Sequence, residues 1–224
     1  MKKFILLSFC LLYKPSFSQT NFNSSLKVNY GDGSIFGNYS DSEDDYNYSQ
    51  VLFDINLFNG PWNLHSQFEF SNPPEIGNNF QGIRRFTFSY KKSNYNILFG
   101  DIYKSWGKGL VLNQYDDINI GYDNGIRGVS ITYNIEKSLI EFISGNKNLK
   151  IYSNSSNFLR KPDRSTNNNI LGLAIHKRSS NYGIGYYSLL NREKFPLNQF
   201  SSDSSLASHN LNSIYMELIG EYFD

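Results

Sequence analysis

The chain has 224 residues, with 21 basic and 20 acidic side chains, one cysteine, 18 phenylalanines and 17 tyrosines. The near-neutral charge excludes the basic footprint of a nucleic-acid-binding protein. A lone cysteine excludes a disulfide framework and a thiolate metal centre.

Residues 1–18 read as a secretory signal peptide. Lys2 and Lys3 supply the positive start, Phe4 to Tyr13 the apolar run, and Ser16-Phe17-Ser18 a small-x-small cleavage site, with mature protein from Gln19. A membrane anchor is the competing reading. The run is well short of the roughly 20 residues a spanning helix needs, and Lys14-Pro15 ends it. Cys10 leaves with this segment. So do three lysines, which leaves 18 basic against 20 acidic side chains and a net charge of −2.

From residue 19 onward the chain alternates. Phe22, Leu26, Val28 and Tyr30 suggest a first strand, turned by Gly31-Asp32-Gly33. Residues 37 to 47 read as a solvated acidic loop with Asp41, Glu43, Asp44 and Asp45, whose spacing fits no EF-hand calcium loop. Val51, Phe53, Ile55 and Leu57 alternate, Asn59-Gly60-Pro61 turns, and Trp62, Leu64, Phe68 and Phe70 alternate back. This is the clearest hairpin, with arms as long as a tilted membrane strand requires.

Residues 71–82 read as a loop. Phe86, Phe88 and Tyr90 then lead through a short polar turn to Tyr95, Ile97 and Phe99. After the central stretch come Val129 to Tyr133, Leu139 to Ile143 and a weaker Leu149 to Tyr152. Residues 153–169 read as an exposed loop, and Leu171 to Ile175 pair with Tyr182 to Tyr186. A polar loop at 191–212 precedes a strand from Ile214. The count is roughly ten strands, and no segment has a helical period. The chain does not end on an aromatic residue, as outer-membrane barrels commonly do, so 224 residues are compatible with an incomplete barrel.

Residues 99–129 carry more than a strand needs. Gly100, Gly107, Gly109, Gly121, Gly125 and Gly128 mark left-handed backbone or close backbone approach. Between them stand Asp101, Tyr103, Trp106, Asp116, Asp117, Asp123, Asn124 and Arg127. The expected form is a strand, an inward or mouth-lying excursion over 100–128 pinned by polar contacts, and a return to strand. The pattern Gly100-Asp101-x-Tyr103-x-x-Trp106-Gly107-x-Gly109-Leu110, then Asp116-Asp117, then Asp123-Asn124-x-x-Arg127-Gly128, resembles an uncharacterised family of Bacteroidota-type outer-membrane β-barrel proteins. The resemblance covers about thirty residues closely. It implies a fold and a place in the cell, and no reaction; this chain would cover the N-terminal part of such a protein.

The acids admit sharper readings. Asp116, Asp117 and Asp123 could flank a glycosidic bond. They could equally pair with Arg127, Lys104 or Lys108 and hold the excursion, or set a transverse field in a lumen. The second account needs no special spacing and is preferred. His65, His176 and His209 are too scattered for a metal site, and no cofactor motif occurs. Arg84-Arg85 suggests contact with lipopolysaccharide phosphates, with lumen acids, or with water alone. Trp62, Trp106 and the tyrosines are most cheaply explained as aromatic girdles at the membrane interfaces.

The expectation is therefore an all-β, antiparallel, up-and-down transmembrane β-barrel over 19–224. It is non-enzymatic, sits in the outer membrane among lipid and lipopolysaccharide, and is porin-like or envelope-associated, with passage of a small solute. Asp101, Tyr103, Trp106, Asp116, Asp117, Asp123, Asn124 and Arg127 are constriction candidates, and Gly100, Gly107, Gly109, Gly125 and Gly128 shape the backbone. The competing expectations are a secreted soluble β-sandwich that binds glycan and, weaker, an envelope enzyme using Asp116 or Asp123.

Overall fold

The computed structural model describes residues 20–36, 43–118, 121–151, 164–196 and 204–218. The expected signal segment 1–18 and the final residues from 219 lie outside them, as do Asp41 of the acidic loop and residues 153–163. In chain order the strands are β1 (Asn21–Phe36), β2 (Glu43–Asn59), β3 (Trp62–Ser71), β4 (Phe80–Lys92), β5 (Tyr95–Ile102), β6 (Ser105–Trp106), β7 (Leu112–Asn113), β8 (Asp116–Asp117), β9 (Tyr122–Asp123), β10 (Ile126–Ile135), β11 (Ser138–Ile151), β12 (Arg164–Arg178), β13 (Tyr182–Pro196) and β14 (Ser204–Leu218). One 3-10 turn spans Gly107–Gly109.

Ten long strands form a single antiparallel sheet in the order β1-β2-β3-β4-β5-β10-β11-β12-β13-β14. The small ladders β6-β7 and β8-β9 sit in the connection between β5 and β10. Among the described residues no pairing joins β1 to β14, so the sheet has two edges. The expected ten strands, all antiparallel and up-and-down, are present. Among the described residues there is one large sheet; neither its closure into a barrel nor a second large sheet over it is seen.

Among the described residues the short turns that join neighbouring long strands lie at one end of the sheet: Gly60-Pro61, Ser93-Asn94, Glu136-Lys137 and residues 179–181. The longer described connections, after β3 and after β5, start from the other. The hairpin of β2 and β3 pairs Asn59 with Trp62 around Gly60 at φ +56°, a left-handed position that glycine takes without strain.

Strand alternation sorts the side chains into two unlike faces. On β12, Leu171, Leu173 and Ile175 are 37–45% exposed, while Ile170 and Ala174 are 6% and 2% exposed. The registers carry this parity across the sheet, so that Leu171, Leu173 and Ile175 align with Ser144, Phe142 and Ile140 of β11. Phe22, Leu26 and Val28 of β1 and Ile214 and Met216 of β14 share that outward face and are exposed. The inner face mixes polar groups such as Asp54, His65, Glu69, Thr132 and Glu141 with a compact apolar cluster of Ile102, Trp106, Leu112, Ile126, Ile143, Ile170, Ala174, Tyr187 and Leu189. The core therefore lies where 103–125 folds over the inner face, and the outward face is uncovered.

A row of glycines crosses the middle strands. Gly128 stands opposite Gly100 on β5 and Gly145 on β11. A Cβ on Gly100 would lie 2.0 Å from the Phe86 carbonyl oxygen, and one on Gly128 would lie 2.0 Å from the Ser144 carbonyl oxygen. Bare backbone is required for the strands to approach this closely. Gly128→Val is expected to force β10 and β11 apart, costing about 1–3 kcal/mol as overpacking does. Gly33→Ala, which meets nothing within 4 Å, should be neutral. Unfolding midpoints in guanidinium check both.

Four turn and loop expectations are corrected. Gly31-Asp32-Gly33 does not turn the chain; β1 runs on to Phe36, with Gly31 opposite Tyr48. A Cβ on Gly31 would lie 2.1 Å from the Tyr48 ring, so this glycine makes room for an aromatic side chain. Residues 164–169 belong to β12, and most of 191–212 to β13 and β14. These polar segments pair because ladder hydrogen bonds are made by the backbone, whatever the side chains are. The Asp/Glu-rich segment from residue 43 is likewise part of β2.

Candidate functional site

A polar cluster begins where β4 and β5 part, at Asp101 and Arg127, which have the outward parity of the register. Asp101, at the end of β5, fills the gap, and its Oδ2 accepts the Phe86 backbone N–H at 2.7 Å. Arg127 of β10 lies in register with Asp101. Its Nε donates to Oδ1 at 2.8 Å and its Nη2 to Oδ2 at 3.1 Å. This forked arrangement is the strong form of a guanidinium–carboxylate pair.

A bulge does the next piece of positioning. Gln67 pairs with Arg85 and Phe68 with Ile83, which leaves Arg84 as the extra residue on β4. A bulge puts successive side chains where strict alternation would separate them. Arg84 donates to Glu69 at 2.9 Å and to Asp116 at 3.0 Å, and Arg85 also pairs with Asp116. Glu69 further accepts from Gln50 at 2.8 Å. Of the three readings of Arg84-Arg85, the structure has the pairing with acids: both side chains are held through their terminal nitrogens by carboxylates of the inner face.

Asp116 and Asp123 stand directly opposite each other in the β8-β9 ladder. Like charges in that position repel. The two Arg partners offset this for Asp116. For Asp123 the offset is the Tyr103 hydroxyl, which donates at 3.1 Å, and the Gly125 N–H at 2.9 Å. Burial, and then the negative Asp123, push the Tyr103 phenol well above its ordinary range, so it stays a donor. Arg85 lies 5.2 Å from the Tyr103 ring centroid. Gly125 has no side chain because one would strike that ring.

A second anchor holds the front of the excursion. Trp106 is 4% exposed and its Nε1 donates to Glu141 Oε2 at 2.6 Å. Glu141 also accepts from Thr132 at 3.0 Å and pairs with Lys104. The indole lies on Gly172, where a Cβ would come within 2.8 Å of it, and stacks on Tyr187 with centroids 6.2 Å apart. Trp106 is thus no girdle residue, which corrects that expectation; the tight left-handed turn of Gly107, Lys108 and Gly109 (φ +58°, +54° and +86°) directs the chain back after it.

Asn124, 5% exposed, closes the loop on itself. Its Oδ1 accepts the Tyr115 N–H at 2.6 Å and its Nδ2 donates to the Asn113 carbonyl at 2.8 Å. Asp117 is half-buried in β8 opposite Tyr122. All eight named polar and aromatic candidates therefore lie in or at the ends of the excursion, bound mostly to one another and to the sheet. Sequence reasoning did not single out Glu69 and Glu141. Their signal was present, since each is an acid at an inward position of an otherwise alternating strand.

Two cavities border Asp123. One of about 550 Å³ is lined by Asp101, Asp123, Arg127 and Lys147 among others, and one of about 430 Å³ by Glu69, Arg84, Asp123 and Lys150 among others. Carboxylates and cations thus occur together in the lining of both, which can hold water and polar solutes.

No curated protein and no solved structure matches the chain. A family does: across residues 1–222 the sequence matches the family of unknown function DUF6029, and the chain belongs to that family.

Proposed function

We propose that this protein is a non-enzymatic outer-membrane β-barrel component of a Gram-negative envelope, in which residues 103–125 form a constriction for the passage of small polar solutes. The observation that carries the reading is the outward face. Exposed Phe, Leu, Ile, Val and Tyr side chains stand on the outward face of nine of the ten long strands, and the outward Val51, Phe53, Ile55 and Leu57 of β2 are half-buried, while most acids and the Arg84-Arg85 pair lie on the other side. Water-soluble proteins rarely expose apolar patches beyond a few hundred Å². Lipid is the solvent that suits such a face, and the polar inner face suits a lumen.

Three further features support it. Trp62, Tyr90, Tyr95 and Tyr133 form an outward aromatic row at the tight-turn end, with Trp62 and Tyr90 centroids 4.2 Å apart. Short turns at one end and long connections at the other are the habit of outer-membrane barrels. The central stretch also resembles Bacteroidota-type outer-membrane barrel proteins. In hydrocarbon the edges β1 and β14 must be paired, with each other or with further strands. The glycan-binding sandwich would need a second sheet over the apolar face.

The test is fractionation of the expressed chain, with unheated and boiled samples compared on a denaturing gel. Outer-membrane recovery with a heat-dependent shift, followed by conductance in planar bilayers, is the expected result. A folded, protease-resistant soluble product would sink the proposal. Ile55, on the outward parity between Phe53 and Leu57, gives a sharper check. Ile55→Arg should cost about 2–4 kcal/mol of insertion free energy if it lies near the midplane, read as lost heat-modifiable protein.

A further inference from the structure

We propose that a groove on the outward face, where β11, β12 and β13 leave the apolar band, is a docking site for the headgroup of an anionic glycolipid. This rests on the membrane reading above and locates a lipid contact that Arg84 and Arg85 do not make. Residues in register form rows across the three strands. One row is Ser144, Leu171 and Leu190; the next, toward the long connections, is Asn146, Asn169 and Arg192. The row after that is Asn148, Asn167 and Lys194. Over two such steps, about 13 Å along the strand, the face changes from alkyl to amide to cation.

A cavity of about 390 Å³ lies across this boundary and is lined by the first two rows together with Gly145 and Ile170. Ile170 points to the inner face and Gly145 has no side chain, so main chain floors the groove. Arg192 is exposed and makes no ion pair with a described residue. Arg127, in the same row, is already held by Asp101. Glu193, next in sequence to Arg192, turns to the opposite face and pairs with Arg164. Outward positions of β11 to β14 carry no acid at all within the described residues, but they carry Lys150, Arg192 and Lys194 toward the long connections and Lys177 at the tight-turn end.

Each part of the groove matches one part of a glycolipid. A guanidinium takes a phosphate through forked, charge-assisted hydrogen bonds. Asparagine amides both donate and accept, as sugar hydroxyls require. Leu171 and Leu190 lie where the first methylenes of an acyl chain would run. A phospholipid without a sugar leaves the amides unused, and free phosphate leaves both the amides and the leucines unused.

The full chain, recovered from membranes in mild detergent, would be titrated with lipid A, a phosphorylated and acylated disaccharide, and bound lipid counted by native mass spectrometry. Phosphatidylethanolamine and inorganic phosphate are the comparison probes. Lipid A should bind in preference to both and resist displacement by excess phosphate. Arg192→Ala should weaken it about tenfold, the loss of one charged hydrogen-bond partner. Lys92→Ala, at the tight-turn end, should leave it unchanged. Equal binding of phosphatidylethanolamine, displacement by phosphate, or an unaffected Arg192→Ala variant would overturn the site. If heat-modifiable migration persists in that case, the membrane reading stands without it. A chain that never enters membranes would overturn both.

Discussion

Trp106→Ala should cost about 3–5 kcal/mol of folding stability, the range for truncating a buried tryptophan. The indole is the largest side chain of the inner cluster, wedged between Gly172, Ile143 and Tyr187. Its loss opens a cavity and removes a donor from Glu141, which is only 6% exposed. Residues 103–125 should then lift from the sheet, seen as faster proteolysis within that segment and a lower unfolding midpoint in guanidinium. Trp106→Phe keeps an aromatic ring at this position but loses the N–H and the outer part of the indole that lies on Gly172. Because Lys104 and Thr132 still serve Glu141, its cost should be about 1–3 kcal/mol. An unchanged midpoint in Trp106→Ala would mean that the excursion is held without this anchor. In bilayers the same variant should show raised conductance, since the element proposed to narrow the lumen is no longer pinned.

Replacing Arg84 and Arg85 together by alanine should be about as damaging. The Asp116 side chain is 7% exposed and faces Asp123 across the β8-β9 ladder. Without either guanidinium, a desolvated carboxylate is left uncompensated beside a second one. Removing one side of a buried ion pair costs about 3–5 kcal/mol, and Glu69 loses a partner in the same step. Adding Asp116→Asn to the double variant should restore more than half of the loss, because the repulsion goes with the charge. If it restores nothing, the arginines hold β4 in place by packing and not by charge, and a double-mutant cycle would show no coupling.

Much of the frame could be read directly. The period-2 alternation of Val51 to Leu57 and Trp62 to Phe70 announced β2 and β3, and Asn59-Gly60-Pro61 announced their turn. Strand ends were legible where glycine, proline or a short polar turn such as Ser93-Asn94 marked them. At Gly31, over 191–196 and over 204–212 the backbone carried the ladder through glycine or polar residues that locally read as a stop. The candidate residues between 99 and 129 stood out because glycines and acids exceed what a strand needs.

What the sequence determined by itself was therefore local: which segments are strands, which side chains share a face, and which stretch interrupts the pattern. Alternation is a property of consecutive residues, so it survives without the fold. Only the tertiary structure decided that 103–125 lies on the inner face, that one extra residue in β4 turns both Arg84 and Arg85 onto Asp116, and that Glu141 receives Trp106 from 35 positions away. Those outcomes depend on register and on where desolvated charges find partners, and no window of neighbouring residues contains either.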